Sequence, residues 1–381
     1  MENEVVFVEK IIWLIPIVIA ALIMIRQIIR TWKDGLFLSL LQLVWTVAAA
    51  IGGFFLTHAL IDPAKMDLFG LGEKLAVMIP ERFMKGLPVL DPLVRALPTA
   101  LIAIIAFPVI FEVLRSAGCW VLRKLNRKFG WSEKILCFRG EKVAAEVVGL
   151  ITSVVCVMTD MVIFAGMLSF CGNMFYCAEQ VLKDETFGTM NAAVQTLEEN
   201  PVIRAADALG AEDMLAYLTA AEQNGKPFSV SSELTRMSKA VVELMPVLEV
   251  VLPSEDRKPT GDDFRALPVK LKDAPDGMDL MVDIVKSYSE ELEGSNAVQV
   301  FIEMTGTTPE QVQDYVASID EETAPEDVET VCEVAAILAD HGVMVGQEVD
   351  LEAAMSNEAL LEEVKAAVLN NENMRKYLGI Q

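Results

Sequence analysis

Three charged residues lie inside two long apolar stretches in the middle of this sequence, where an ionisable side chain needs an explanation. Glu112 and Arg115 fall in the stretch 96–121, and Asp160 falls in the stretch 147–170. Glu112 and Arg115 are three residues apart, which places them on one face of a helix and favours an ion pair. Within a membrane such groups face the interior of a helix bundle, because charge in contact with lipid is costly. The three residues therefore predict either a polar cluster that locks helix packing or a path for a proton or solute.

The rest of the sequence offers little of the chemistry on which enzymes depend. His58 and His341 are its only histidines, and it contains neither a Gly-x-Ser-x-Gly turn nor a glycine-rich phosphate loop. Its six cysteines show no Cys-x-x-Cys pair and no metal-ligand spacing. We therefore predict no bound metal, no cofactor and a protein that is not an enzyme.

Four apolar stretches are long enough to cross a lipid bilayer, whose hydrocarbon core of about 30 Å requires about 20 helical residues. They cover residues ~8–29, 36–60, 96–121 and 147–170. None of them carries the polar stripe of a helix that packs on a water-soluble core. The residues before the first stretch are acidic, and no cleavage site follows it, so we predict a retained span. Residues 1–172 are thus predicted to form a four-helix membrane domain.

Charge divides the chain at the same place. Residues 1–172 hold 17 Lys and Arg against 14 Asp and Glu, whereas residues 173–381 hold 14 against 41. The first part is therefore near +3 and the second near −27. So acidic a region disfavours nucleic acid as a partner.

The short loops predict an orientation in the membrane. The loops after the first and third spans carry eleven Lys and Arg, against six on the opposite side. Basic loops face the cytoplasm, so we expect both termini to lie outside it.

The acidic region 173–381 is predicted to be an all-α soluble domain outside the cytoplasm. Amphipathic segments alternate with Gly, Pro and Asn, and Thr308-Pro309 and Ala324-Pro325 both read as helix starts. The stretch 253–275 reads as a long loop and a possible hinge. Whether Cys171 and Cys177 form a disulfide stays open at this point.

Two short segments carry a resemblance to a known family. The turn before the second span reads Lys33-Asp34-Gly35-Leu36, and a basic stretch, Arg139 to Lys142, leads into the fourth span near Gly149. Over residues 10–170 this pattern resembles the colicin V production protein family of bacterial four-span membrane proteins. The family-like positions are Lys33, Gly35 and Gly149. Asp34 stands where the family usually has a second arginine, and the start of the fourth span is poorer in glycine.

The resemblance implies a protein of the bacterial cytoplasmic membrane with a role in toxin production or export and in envelope homeostasis. It implies a role without a reaction, so we expect a non-enzymatic anchor or assembly factor. Its expected partners are the lipid bilayer and either further copies of the chain or other envelope proteins. Two alternatives stay open: an oligomeric transporter or channel component for a small solute or protons, and a membrane-anchored sensor or enzyme domain.

Overall fold

The protein is described from a computed structural model that covers most of the chain. The described residues are 2–63, 70–78, 90–131, 141–223, 226–251, 260–287, 299, 301–302, 305–320, 323–345 and 348–378. Within these ranges almost all of the structure is helical, which confirms the predicted all-α fold class. The chain forms two compact units, the first comprising mainly the residues up to 235 and the second mainly those from 236 on.

Four long helices of the first unit carry the predicted spans. They are α1 (Glu2–Asp34), α2 (Leu36–Leu60), α4 (Leu90–Phe129) and α5 (Glu141–Leu182), with a short helix, α3 (Leu71–Met78), between α2 and α4. Each of the four contains a segment long and apolar enough to cross a membrane. At a rise of 1.5 Å per residue, α4 and α5 are each about 60 Å long and extend well beyond a hydrocarbon core of about 30 Å.

Helix α2 buries polar side chains and exposes apolar ones. Gln42 and Thr46 are each 1% exposed, whereas Val44 is 66% and Phe55 is 58% exposed. A helix on the surface of a water-soluble protein shows the opposite arrangement. The Thr46 hydroxyl donates to the carbonyl of Gln42 at 2.7 Å, so it needs no water. The outer surface of the bundle is therefore suited to lipid.

The turn between α1 and α2 requires glycine at position 35. Gly35 has φ 77° and ψ 166°, a backbone conformation that is essentially restricted to glycine. Its carbonyl accepts a hydrogen bond from the Ser39 hydroxyl at 2.7 Å. The backbone conformation thus explains why glycine occupies position 35, one of the family-like positions. The side chain of Lys33, another of them, lies outside the described part.

The predicted domain boundary at residue 172 falls inside a continuous helix. Helix α5 runs on to Leu182 and is followed by three shorter helices of the first unit. These are α6 (Glu185–Glu198), α7 (Pro201–Asp207) and α8 (Ala211–Leu218).

These three helices fold back against the bundle. Val157 and Val162 of α5 are buried in one cluster with Val194 of α6 and Ile203 of α7. Asn200 fastens the same region to α1, because its side-chain amide donates to the carbonyl of Trp13 at 2.6 Å. Later helices therefore cover the end of the fourth predicted span. Hydropathy marks a segment as apolar but does not say whether lipid or protein will cover it.

A hairpin and a long helix follow in chain order. Strands β1 (Ala220–Gln223) and β2 (Lys226–Ser229) pair antiparallel, with Ala220 opposite Ser229. Helix α9 covers Val230–Val251. The hairpin was not predicted, because four-residue strands are too short to show a period of two.

The second unit is a cluster of short helices with one further hairpin. Its elements are α10 (Gly261–Lys272), α11 (Pro275–Ser287), α12 (Pro309–Ser318), α13 (Ala324–Asp340), β3 (Met344–Val345), β4 (Glu348–Val349), α14 (Leu351–Met355), α15 (Glu358–Asn370) and α16 (Glu372–Leu378). Thr308 caps α12 and Pro325 lies in the first turn of α13, so both predicted Pro-containing helix starts are confirmed. Leu360, Val364 and Val368 of α15 are fully buried in the main core.

The structure corrects the prediction of a long loop over 253–275. Residues 252–259 lie outside the described part, but most of the remainder forms α10, which Thr260 and Asp263 cap reciprocally. Phe264 and Leu267 of α10 pack against Ala336 of α13. The prolines and the charges of this segment suggested a loop. Its apolar residues at helical spacing, which pack on α13, favour a helix instead.

Candidate functional site

The predicted Glu112–Arg115 pair exists on α4 and reaches a second helix. Arg115 is 7% exposed, and its Nη2 donates to Oε2 of Glu112 at 2.7 Å. Its Nη1 donates to Sγ of Cys156 on α5 at 3.0 Å. The ion pair expected from the spacing is confirmed. Arg115 also joins the third and fourth spans, a contact that the sequence did not predict.

Asp160 lies on the same helix as Cys156, one turn further along. It interacts electrostatically with Glu112 and Arg115, so the structure brings the three predicted intramembrane residues into one cluster. Oδ1 of Asp160 is buried and has no hydrogen-bond partner, and the same is true of Nε of Arg115. Buried polar groups are normally paired, so these two atoms are exceptions that call for an explanation.

We name Glu112, Arg115, Cys156 and Asp160 the intramembrane cluster. Its chemistry is that of two carboxylates, one guanidinium and one thiol. The free carboxylate oxygen of Asp160 can hold a proton or accept a donor from a ligand. Among the described residues, no group of three or more His, Cys, Asp or Glu side chains is placed to hold a metal ion.

A second charged group fixes the turn between α1 and α2. Oδ2 of Asp34 accepts from Nε of Arg123 at 3.0 Å and from Nε2 of Gln42 at 2.8 Å. Asp34, the departure from the family pattern, therefore connects the end of α1 with both α2 and α4. The other family-like position, Gly149, is buried on α5 and accepts from the Ser153 hydroxyl at 2.7 Å.

Trp45 and Gly118 show how closely α2 and α4 approach each other. Nε1 of Trp45 donates to the carbonyl of Leu114 at 3.0 Å. A Cβ atom added at Gly118 would overlap the Trp45 indole, whereas one added at Gly52 would meet nothing within 4 Å. Gly118 therefore leaves the space that the indole occupies.

Gly118→Ala should destabilise the first unit by about 2 kcal/mol, since overpacking displaces the indole and weakens its hydrogen bond. Thermal unfolding followed by tryptophan emission measures the effect. The matched control Gly52→Ala should cause no loss. In a Trp45→Ala background Gly118→Ala should cost much less, and an unchanged cost there would contradict the proposed overlap.

An apolar cavity of about 570 Å³ lies in the first unit, with walls from α2, α4 and α5. Phe54 and Phe55 of α2, Val154 and Met158 of α5 and Leu209 contribute to its walls. Thr159 also lines it, but its hydroxyl is bonded to the carbonyl of Val155 at 2.8 Å. The cavity is therefore suited to an apolar occupant.

A polar pocket of about 560 Å³ lies between α5 and the helices α6–α8. Its charged lining residues are Glu198, Arg204, Asp207, Glu212 and Asp213. Burial, together with the charges of Asp207 and Glu212, raises the pKa of Glu198. The pocket is thus acidic with one guanidinium, and its charged residues lie outside the segments in which we predicted functional residues.

In the second unit one carboxylate is buried, and among the described residues it has no cation as a partner. Asp327 of α13 is 2% exposed and accepts from Nδ2 of Asn371 at 3.0 Å and from Nδ2 of Asn373 at 2.8 Å. The buried hydroxyl of Tyr315 lies near it; burial, and then the charge of Asp327, raises the pKa of Tyr315. No local pattern predicts this group, because Asp327 and Asn371 are 44 residues apart.

Both ring nitrogens of His341 contact other side chains. Its Nδ1 lies 3.2 Å from Nδ2 of Asn357, and its Nε2 lies 3.1 Å from Oε2 of Glu363. The amide nitrogen of Asn357 can only donate, so the proton of the neutral ring lies on Nε2 and is donated to Glu363. Cys171 and Cys177 are both free thiols on α5.

Comparison with known proteins adds no assignment to this geometry. No protein-family model, no curated protein and no solved structure matches the chain. The candidate site is therefore defined by the residues of this chain alone: an intramembrane cluster in which Arg115 joins two helices and Asp160 keeps one oxygen free.

Proposed function

We propose that this chain is a non-enzymatic membrane protein whose four-helix bundle anchors a helical second unit and takes part in an assembly at the membrane. The use of charge inside the bundle carries the proposal. Arg115 is bonded to Glu112 and Cys156, and Arg123 is bonded to Asp34. The bonds to Cys156 and to Asp34 each join two helices, so Arg115 and Arg123 are engaged in packing.

The family resemblance supplies the setting of the proposal. It implies a protein of the bacterial cytoplasmic membrane, with a role in toxin production or export and in envelope homeostasis. The basic loops favour an orientation with both termini outside the cytoplasm. The proposed partners are further copies of the chain or other envelope proteins.

One observation favours a second candidate function, a proton or small-solute path through an oligomer. Oδ1 of Asp160 is buried without a partner, and Asp160 interacts electrostatically with Glu112 and Arg115. Intramembrane carboxylates with free oxygens are typical of proton relays. The two functions make different predictions for substitutions at this residue.

Asp160→Ala should lower the stability of the first unit by about 1–2 kcal/mol, because the cluster loses a carboxylate next to Arg115. Asp160→Asn keeps the shape and should fold normally. Unfolding temperature in detergent and proton flux into liposomes, followed with a pH-sensitive dye, are measured for both. The matched control is Val147→Ala on the outer side of α5, where the side chain is 53% exposed.

If Asp160 serves only helix packing, the wild-type chain and both variants should show no proton flux above that of empty liposomes. A wild-type flux that Asp160→Asn abolishes, at an unchanged unfolding temperature, would overturn the anchor proposal in favour of the path.

A further inference from the structure

Arginines crowd together where α1 and α4 meet. Arg30 interacts electrostatically with Arg26 and Arg123, and also with Arg115. Asp34 is bonded to Arg123 and Glu112 is bonded to Arg115, and Asp160 also interacts with Arg115. Among the described residues, Arg26 and Arg30 have no bonded carboxylate partner. The mutual repulsion of these two guanidinium groups favours binding of an anion.

The position of the two arginines relates them to the membrane. Leu22 is 62%, Ile25 is 56% and Ile29 is 51% exposed, which makes them an apolar stripe along the outer side of α1. Arg26 follows Leu22 by four residues and precedes Ile29 by three, so it lies on the same side of the helix as this stripe. A lipid acyl chain that lies along the stripe would bring its polar headgroup to Arg26.

The end of α4 shows the same sequence of apolar and basic residues. Val109 is 59%, Val113 is 62% and Trp120 is 62% exposed. The ammonium of Lys124 lies over the Trp120 ring, 4.9 Å from its centroid. Tryptophan followed by a basic residue is typical of the membrane–water interface. Because Arg30 interacts with Arg123, this interface and the arginine group lie at the same end of the bundle.

We infer that Arg26 and Arg30 bind the phosphate of an anionic phospholipid whose acyl chain lies along the apolar stripe of α1. Guanidinium groups donate paired hydrogen bonds to phosphate oxygens and are well suited to this headgroup. Arg123 is already bonded to Asp34 and adds to the positive potential. The stripe distinguishes a lipid from free phosphate, since free phosphate gains nothing from exposed Leu22 and Ile25.

The test measures lipid binding to the full chain purified in detergent. Native mass spectrometry gives the dissociation constant of the first bound phosphatidylglycerol and, separately, of phosphatidylcholine. Each basic residue near an anionic lipid surface contributes about 1 kcal/mol, so Arg26→Gln with Arg30→Gln should weaken phosphatidylglycerol binding about 30-fold. Phosphatidylcholine binding should stay unchanged.

The matched control removes two exposed lysines of the same unit, Lys74→Gln with Lys183→Gln, and should leave the constant within about twofold. Unfolding temperature verifies that the double arginine variant folds. If it does not, Arg26→Gln alone, at an exposed position, should still weaken binding about fivefold. Excess inorganic phosphate should leave the lipid bound.

Three results would overturn the inference. They are equal wild-type affinities for the two lipids, unchanged phosphatidylglycerol binding in the folded arginine variant, and displacement of the lipid by inorganic phosphate. The last result would identify a site for a free anion. The inference does not depend on whether the bundle is an anchor or a path.

Discussion

Arg115→Ala should lower the free energy of unfolding of the first unit by about 3 kcal/mol, the low end of the cost for a buried ion pair, because the guanidinium is buried while the Glu112 side chain is 42% exposed. The substitution leaves Glu112 without its 2.7 Å partner and removes the bond from α4 to Cys156 on α5. All five tryptophans lie at or before residue 131, so tryptophan emission during unfolding reports on the first unit.

A matched control for this experiment is Arg127→Ala on the same helix. Arg127 is exposed, so its removal should change the free energy of unfolding by less than about 0.5 kcal/mol. Combining Glu112→Ala with Arg115→Ala should recover part of the loss, because Glu112 is then no longer left as a carboxylate without its cation. Equal stabilities of Arg115→Ala and Arg127→Ala would show that the intramembrane cluster does not lock the packing.

Asp327→Ala should destabilise the second unit by about 3 kcal/mol. The carboxylate is the acceptor for the buried amide of Asn371 and for Asn373, and buried donors that lose their acceptor cost about 1–3 kcal/mol each. Hydrogen exchange at the backbone amide of Met374, which donates to Oδ1 of Asn371 at 2.7 Å, measures the loss locally. Tryptophan emission should not change, since the second unit contains no tryptophan among residues 236–381.

The matched control is Glu329→Ala, which removes an exposed carboxylate from the same helix, α13. It should leave hydrogen exchange at Met374 unchanged. A spectroscopic readout is also available, because the charge of Asp327 helps to raise the pKa of Tyr315. Asp327→Ala should therefore lower the pKa of Tyr315 in an alkaline absorbance titration, and an unchanged titration would contradict the contact.

The two units thus stabilise their buried charged groups in different ways. In the first, Arg115 neutralises a carboxylate and satisfies a thiol within the bundle. In the second, Asp327 accepts hydrogen bonds from neutral amides. Arg265 forms its ion pairs at the surface, with Glu333 at 3.0 Å and with Asp340 at 2.8 Å. Hydrogen bonds from amides can stabilise a buried anion without a counter-charge.

Several features of this protein follow from the sequence alone. Four apolar segments of spanning length require helices, because the backbone polar groups of a membrane segment must be satisfied within it. The spacing of Glu112 and Arg115 required their side chains to share a helix face, and they do. Pro309 after Thr308 fixed a helix start, since both residues act through their nearest neighbours.

Contacts between distant segments were decided only by the tertiary structure. The end of the fourth predicted span is covered by α6–α8, and Cys156 is the partner of Arg115, 41 residues away. Asp34 joins α1 to Arg123, and α10 forms where a loop was expected because Phe264 and Leu267 find Ala336 to pack against. Local pattern sets the type of an element, but which surface covers it depends on segments far away in the chain. The four spans could therefore be read from the sequence, while the cluster inside them required the fold.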